Sequence, residues 1–182
     1  NFCGKIVKEM LELADAHGYQ ILLKYTDGHA ETENRILGEV ANMPEVKGVI
    51  LFPSDFNLCG RELLNYKIQN YPIVILDRHY KEIEFDIVCH DHYQGAYDAV
   101  NQLIEKGHSA IGFISRSFAH VSSRKERYQG FTSAMIEHNK RIRAERVKIT
   151  DEDVRNIVEV LKEYLMHNDS LTAVLCADNF LT

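Results

Sequence analysis

Short apolar runs alternate with amphipathic helical segments along most of this 182-residue chain. The four most apolar runs are "VKGVILFP" (46–53), "PIVILD" (72–77), "AIGFIS" (110–115) and "TAVLCAD" (172–178). Nearly continuous apolar runs of this length are typical of strands that are buried on both faces of a parallel sheet. Because helical segments of about 10–15 residues separate them, the pattern predicts βαβ units and an α/β fold, with parallel sheets flanked by helices.

The helical segments carry apolar residues at helical spacing, and two of them end at a glycine suited to a C-terminal cap, Gly18 and Gly107. Helices are predicted at 3–17, from Thr32, at 59–69, 93–106, 122–138 and 150–166. The runs "YQILLKY" (19–25) and "FDIVCH" (85–90) are further β-rich segments. Thr150 and Asp153 resemble a capping box that begins the last helix.

The composition and net charge of the chain make some classes of function unexpected. Hydrophobic residues make up 45% of the chain, which suits a globular core, while the net charge of -6 argues against this segment gripping nucleic acid by itself. No apolar run approaches the roughly 20 residues that span a bilayer, so no membrane partner is expected. The four cysteines form no C-x-x-C pair, and scattered cysteines are typical of a reducing compartment. We therefore expect a cytoplasmic protein.

Polar side chains follow nearly every predicted strand. In open parallel sheets, ligands bind beyond the carboxyl ends of the strands, so these residues are the first candidates for a site. They are Ser54, Asp55, Asp77, Arg78, His90, Asp91, the segment 115–123, Asp178 and Asn179.

Several catalytic chemistries lack their motifs. The chain has no G-x-G-x-x-G, no G-x-x-x-x-G-K-[ST] and no G-x-S-x-G, which disfavours dinucleotide binding, P-loop chemistry and serine hydrolysis. The stretch "HDH" (90–92) could place two histidines on one strand face, but spacing anchors no third ligand nearby. We expect no enzyme activity, no cofactor and no metal site.

The stretch "SSRKERYQGF" (122–131) concentrates cations after the strand at 110–115. Ser122 and Ser123 stand where a helix needs capping, and Arg124 and Lys125 are expected to be solvated. Arg127 has two interpretations that spacing leaves open. Its guanidinium could bind the vicinal hydroxyls or carboxylate of a ligand, or it could pair with a surface carboxylate of its own helix.

Aromatic residues near the predicted strand ends could form the apolar wall of a binding pocket. Phe118 is one of several rings that could cover the apolar face of a sugar. The others are Phe56, Tyr80 and Tyr93.

Five segments in order resemble the ligand-binding domain of the lactose-repressor/galactose-repressor family of bacterial transcription regulators. They are "KGVILFPS" (47–54), "YPIVILDR" (71–78), "HDHYQGAYDAVNQLIEKGH" (90–108), "RYQGF" (127–131) and "TAVLCADN" (172–179). The resemblance implies a two-lobed, periplasmic-binding-protein-like fold. It assigns residues 1–107 to the N-terminal lobe, without its first strand, and 108–182 to an incomplete C-terminal lobe.

The resemblance also implies an effector site in the cleft. Ser123 and Arg127 correspond to the family's effector-binding serine and arginine, and Asp178 and Asn179 stand in the reverse of the family's "nD" order. Contacts from the first lobe are expected from Ser54, Asp55 and Asp91.

These observations lead us to expect the effector-binding and dimerisation domain of a transcriptional regulator. Its effector would be a carbohydrate, and operator DNA would bind through an N-terminal helix-turn-helix domain that this chain lacks. The rival is a soluble sugar-binding receptor of a transport system, which shares the fold.

Overall fold

The computed structural model of the chain describes residues 2–54, 60–78, 80, 83–119, 121–150 and 156–178. Helices and strands alternate along most of them, as the sequence predicts, although α2 follows α1 directly and β3 follows β2 directly. The helices are α1 (Phe2–Ala16), α2 (Ala30–Ala41), α3 (Arg61–Ile68), α4 (His92–Glu105), α5 (Ser122–Glu137) and α6 (Ile157–Met166). The strands are β1 (Val49–Leu51), β2 (Ile73–Leu76), β3 (Asp86–Val88), β4 (Ile111–Arg116), β5 (Val147–Thr150) and β6 (Ala173–Cys176), with a 3-10 turn at Ala144–Arg146.

The strands form two separate parallel sheets. The first sheet has the order β1-β2-β3, and the second has the order β5-β4-β6. In both sheets the strand ends that carry the polar residues therefore lie along one edge. Two parallel sheets flanked by helices confirm the predicted fold class.

The core of the first sheet forms where α2 and α3 cover one face. Leu37 of α2 and Leu63 of α3 are buried against Ile75 of β2, and Leu63 and Ile75 are fully inaccessible at 0%. The Tyr66 hydroxyl donates to the Leu37 carbonyl at 3.0 Å, so the ring ties α3 to α2. Burial of these side chains fixes the position and direction of β2 relative to α2 and α3. Asp77 follows the carboxyl end of this strand.

The second sheet is covered on both faces, because successive side chains of a strand point to opposite sides. Phe113 of β4 packs with Val100 of α4 and Phe131 of α5. Its neighbour Ile114 packs on the other face with Tyr164 of α6. The two-sided core explains the continuous apolar run that the sequence shows at β4.

Helices α4 and α5 approach each other unusually closely at Gly130. A side chain on Gly130 would place its Cβ 2.2 Å from the Tyr93 carbonyl oxygen and 3.0 Å from the Tyr97 nitrogen of α4. Helix α4 thus packs on the second sheet although residues 1–107 were expected to form the first lobe. The division of the chain at residues 107 and 108 stays a prediction.

Two predicted glycine caps are confirmed, and two other local predictions are wrong. Gly18 and Gly107 take φ values of +74° and +91°, which L-residues with a side chain rarely adopt. Residues 19–25 form no strand. Among the described strands, β1 pairs only with β2, so residues 19–25 pair with no strand of that sheet, and an extended run needs such a neighbour for its backbone hydrogen bonds. Thr150 belongs to β5 and does not cap α6, whose N-cap is Asn156, while Asp153 of the predicted capping box lies outside the described residues.

Within the described residues, no helix combines the length and apolar character needed to cross a membrane.

Candidate functional site

The carboxyl ends of both sheets contribute charged side chains to one cluster. Asp77 and Arg78 follow β2, Arg116 ends β4, and Asp178 follows β6 two residues after Cys176. Asp77 has a φ of +67° and donates its backbone N–H to the Val88 carbonyl at 2.9 Å. Aspartate is among the few residues with a side chain that tolerate this left-handed conformation, and the turn directs the chain out of the sheet at the site.

Arg127 of α5 is held by two partners on different elements. One guanidinium nitrogen, Nη1, donates to the Ala177 carbonyl at 2.7 Å, and Nη2 lies 3.0 Å from His92 Nδ1. Because arginine can only donate, Nδ1 must accept and the ring proton must sit on Nε2. This nitrogen lies 3.2 Å from Asp77 Oδ1. A chain of contacts therefore joins the ends of β2 and β6 through the first residue of α4.

The same contacts explain the charge state of Asp77. Burial raises the pKa of its carboxyl, but the hydrogen bond from His92 and the charges of Arg127 and Arg78 lower that pKa by more. The pKa ends below its ordinary value. Asp77 is therefore a stable anion that orients His92 and, through it, Arg127.

Asp178 is shared by two arginines. Its Oδ2 lies 3.0 Å from Nε of Arg116 and 3.0 Å from Nε of Arg124. The aspartate side chain is 7% exposed and that of Arg124 is 13% exposed. Burial and the charge of Arg116 lower the pKa of Arg124, although Asp178 acts in the opposite direction. The Asp178 carboxylate thus contributes negative charge to two guanidinium groups at once.

Arg78 connects the end of β2 to the end of β1. Its Nη1 donates to the Pro53 carbonyl and, at 3.2 Å, to the Ser54 carbonyl. The Ser54 N–H in turn donates to Glu33 Oε2 at 2.6 Å, and the Ser54 hydroxyl contacts Thr26 Oγ1 at 3.2 Å. Burial raises the pKa of Glu33 in spite of these hydrogen bonds. Backbone groups next to Ser54 are therefore fixed from both α2 and β2.

The structure places the predicted site residues in three different settings. Arg127, Asp178 and Ser54 take part in the hydrogen bonds and ion pairs described above, whereas Asp55 and Asn179 lie outside the described residues. Ser123 is buried at 2% exposure at the start of α5. The ligand contacts predicted for these residues remain predictions.

Asp91 and Phe118 have structural partners of their own. The Asp91 carboxylate accepts the Gln94 N–H at 2.8 Å and caps α4. Phe118 packs beside Tyr128, with ring centroids 5.5 Å apart, at the margin of the second core. Their predicted role at the ligand also remains a prediction.

Two predictions about the stretch 122–131 are wrong. Neither serine is the N-cap of α5, because Val121 holds that position, and Val121 makes no side-chain capping hydrogen bond. Arg124 is not solvated but half-buried against Asp178, while Lys125 is exposed. The sequence spacing could have predicted this burial of Arg124. Residues three apart lie on the same face of a helix, so Arg124 and Arg127 project from the same side of α5.

His92 was missed as a member of the site because the motif "HDH" gave no sign of which partners a hydrogen-bonded histidine there would have. The His90 and His92 rings lie 6.0 Å apart, and His92 is buried with Arg127 and Asp77 as its partners. Among the described residues, no group of three or more His, Cys, Asp or Glu side chains is placed to hold a metal ion.

The fold and the site together define a ligand-binding domain of the periplasmic-binding-protein type. Residues 1–180 match the family described as periplasmic binding proteins and sugar binding domain of LacI family. The chain belongs to this family.

Its relatives are transcriptional regulators. The chain is 27% identical over 180 residues to the HTH-type transcriptional repressor PurR of Mannheimia succiniciproducens, and 28% identical over 178 residues to the HTH-type transcriptional regulator RegA of Clostridium saccharobutylicum. These matches cover 99% and 98% of the chain and 53% of each relative. The crystal structure of a PurR family transcriptional regulator from Vibrio parahaemolyticus is 26% identical, with a TM-score of 0.76 over 91% of this chain and 61% of that one. The chain thus spans about half the length of these curated relatives, and the transport-receptor interpretation is not favoured.

Proposed function

We propose that this chain is the effector-binding and dimerisation domain of a bacterial transcriptional regulator in the cytoplasm. The family match and the relatives named as HTH-type transcriptional repressors and regulators support this proposal. Operator DNA would bind through a helix-turn-helix domain elsewhere in the complete polypeptide, which agrees with the net charge of -6 on this segment. The domain catalyses no step of its own.

The observation that carries the proposal is the chain of contacts from Arg127 to His92 to Asp77. Arg127 belongs to the helical layer of the second sheet, whereas Asp77 ends a strand of the first sheet. A ligand that bonds to Arg127 must replace or add to the hydrogen bonds that Arg127 makes. Because those bonds depend on the relative position of the two sheets, the ligand's affinity depends on that position as well. Such differential affinity is what allosteric control requires.

A carbohydrate fits the chemistry that surrounds Arg127. Arginine and aspartate side chains bind hydroxyl groups with directional hydrogen bonds, and Arg127 and Asp178 lie at the same strand end. Ser123 and Phe118 would add a hydroxyl and an apolar ring face. The family's description as a sugar binding domain supports the same class of effector.

The experiment that tests the function is ligand-dependent DNA binding. The complete polypeptide would first select its operator from fragments of its own genome. Fluorescence anisotropy would then measure its operator affinity with and without each sugar of a broad panel. We expect one sugar to change that affinity about 5- to 150-fold, the range of typical allosteric couplings. A polypeptide that selects no DNA, or whose DNA affinity no sugar changes, would contradict the proposal.

The matched variants are Arg127→Ala and Arg143→Gln. Arg143 is an exposed arginine near the start of β5 that pairs only loosely with Glu145, at 3.7 Å. Arg127→Ala should bind the operator normally and lose the response to sugar, whereas Arg143→Gln should keep both. Loss of the response in both variants would show that Arg127 has no special part in it.

A further inference from the structure

His92 separates an arginine from an aspartate at the candidate site. Its Nδ1 atom lies 3.0 Å from Nη2 of Arg127, and its Nε2 atom lies 3.2 Å from Oδ1 of Asp77. The three residues belong to different elements, since Arg127 is in α5, His92 begins α4 and Asp77 follows β2. The His92 side chain is 6% exposed, so these two neighbours replace most of the water around the ring.

Arg127 and a proton compete for the same atom of His92. Arginine has no acceptor, so Nδ1 accepts the Nη2–H of Arg127 with the lone pair that a proton would occupy. A proton on Nδ1 would end this hydrogen bond and place an imidazolium cation 3.0 Å from the guanidinium. Histidine is the side chain that ordinarily gains a proton between about pH 5 and 8. The contact between Arg127 and His92 therefore belongs to the neutral form of His92 and is lost in the protonated form.

The other contacts of both residues survive protonation. Nε2 of His92 keeps its proton and its place beside Asp77 Oδ1, where an imidazolium cation gains an ion pair. Arg127 keeps the hydrogen bond from Nη1 to the Ala177 carbonyl at 2.7 Å. The proton thus breaks the link between His92 and Arg127 without detaching His92 from Asp77 or Arg127 from Ala177.

Asp77 is the anion that favours the protonated ring, and Arg127 is the cation that opposes it. Among the described residues, the ring nitrogens of His92 contact only these two. The His90 ring lies 6.0 Å from that of His92. Other charged or titratable groups adjoin the site on each element, namely Arg78 after Asp77, Cys89 and Asp91 before α4, Glu126 in α5 and Asp178 after β6.

We propose that His92 takes up a proton at Nδ1 when the effector displaces it from Arg127, so that effector affinity rises as pH falls. This inference rests on the proposed function, which supplies a sugar with oxygen acceptors at Arg127. The Nη2–H group of Arg127 changes its acceptor from Nδ1 to a sugar oxygen, and the guanidinium keeps all its protons. The freed Nδ1 then binds one proton from the solvent, and Asp77 is the counter-ion of the resulting imidazolium.

The direction of the pH effect follows from thermodynamic linkage. A ligand that makes its protein hold a proton more tightly is itself bound more tightly when protons are abundant, because coupling between two binding events is reciprocal. Uptake of one full proton corresponds to at most about a tenfold change in Kd per pH unit. Neutral sugars do not titrate in this range, so the dependence belongs to the protein. The regulator would thus respond to its effector and to pH together.

Nuclear magnetic resonance of the complete polypeptide with isotope-labelled histidine tests the competition without any ligand. His92→Asn identifies the His92 signals by their loss. We expect Arg127→Ala to raise the pH midpoint of His92 protonation by about one unit or more, because the hydrogen bond from a charged donor opposes the proton about tenfold or more. Arg143→Gln should leave the midpoint unchanged. Arg127→Met, which keeps a long side chain without a donor, serves if circular dichroism shows that Arg127→Ala does not fold. A midpoint that the loss of Arg127 does not raise would overturn the inference.

Calorimetric titration tests the coupling itself, with galactose, glucose, ribose, sucrose and any further sugar that the operator assay selects. Titrations in PIPES and in imidazole, two buffers of different ionisation enthalpy, reveal protons that are taken up on binding. We expect proton uptake, and a Kd about threefold or more lower at about pH 6 than at about pH 7.5. His92→Asn, whose amide does not titrate, should abolish both effects, whereas His138→Gln, at an exposed histidine, should keep both.

The outcomes separate the inference from the proposed function. A sugar that binds without proton uptake and with equal Kd at both pH values would overturn the inference and leave the proposed function standing. A full pH effect in His92→Asn would assign the proton to another group and overturn the inference as well. If no sugar of the broad panel changes operator affinity, the proposed function fails and the inference falls with it.

Discussion

Arg127 Nη2 lies 3.0 Å from His92 Nδ1, so an arginine of α5 has a buried histidine of α4 as its acceptor. The opposite ring nitrogen of His92 faces Asp77 Oδ1 at 3.2 Å. The imidazole is thereby held in one tautomer, with its acceptor toward Arg127 and its donor toward Asp77. His92 is therefore a positioning residue that fixes the Arg127 guanidinium relative to both sheets.

Substitution of His92 should weaken ligand binding without direct contact to the ligand. His92→Phe removes the acceptor of Arg127 and the donor of Asp77, and we expect a loss of about 1–3 kcal/mol in the free energy of unfolding, together with about tenfold weaker binding of the stabilising sugar. His92→Asn, whose Oδ1 can accept from Arg127, should recover part of the affinity. Urea denaturation and calorimetric titration measure the two effects.

The control for His92 is His138→Gln. His138 is exposed and pairs with Asn101 at 3.0 Å on the outer side of the same two helices. Equal effects of His92→Phe and His138→Gln on ligand affinity would show that His92 does not position Arg127.

Asp178→Asn should destabilise the protein by about 3 kcal/mol, because it leaves two partly buried arginines without their shared anion. Glu145→Gln is the matched control. It removes an exposed carboxylate 3.7 Å from Arg143, and exposed pairs contribute about 0–1 kcal/mol. Urea denaturation at low salt compares the two, and equal destabilisation would contradict the assigned role of Asp178.

Gly130→Ala should separate α4 from α5 and cost at least about 1–3 kcal/mol of stability, the range for overpacked cores. The new Cβ would meet the Tyr93 carbonyl at 2.2 Å, and backbone cannot move aside as a flexible side chain can. Gly95→Ala in α4 is the control, since a Cβ there meets nothing within 4 Å. It should be neutral or stabilising by up to about 1 kcal/mol. Thermal unfolding that ranks the two variants in the opposite order would contradict the described packing of α4 on α5.

Glu33 should make stability fall as pH rises above about 4.5, its ordinary pKa. The raised pKa means that the folded state holds this proton more tightly than the unfolded chain does, so stability is lost as pH rises toward the folded pKa. Asp77 has a lowered pKa and loses its contribution only as pH falls below about 3.8, so it is constant in this window. Urea denaturation from pH 4.5 to 7 should therefore show a smaller fall for Glu33→Gln than for the wild type. Parallel curves would contradict the burial of an ionisable Glu33.

The sequence predicted the sheets well where strands are buried on both faces. The run at β4 is apolar on consecutive residues because Phe113 and Ile114 enter different cores. Strand β5 was missed, since "VKIT" shows no such run and becomes a strand through its pairing with β4. The run 19–25 shows the reverse case, in which β propensity without a neighbouring strand gives no pairing.

The site was predicted only in part because its contacts are distant in sequence. Polar residues at strand ends are visible in the sequence, and Asp77, Arg78 and Asp178 were found in this way. The pairing of His92 with Arg127 and that of Arg124 with Asp178 join residues 35 and 54 positions apart. No local spacing encodes such pairs, since they depend on how α4 and α5 pack on the second sheet.

The most direct test of the central claim is the melting temperature of the complete polypeptide with a broad panel of sugars, compared between the wild type and Arg127→Ala. A ligand at 100 times its Kd stabilises the folded state by about 2.7 kcal/mol. We predict that at least one sugar raises the wild-type melting temperature by several degrees, and that the same concentration has little effect on Arg127→Ala. A wild type that no sugar stabilises, or an Arg127→Ala variant that responds as the wild type does, would contradict an effector site at Arg127.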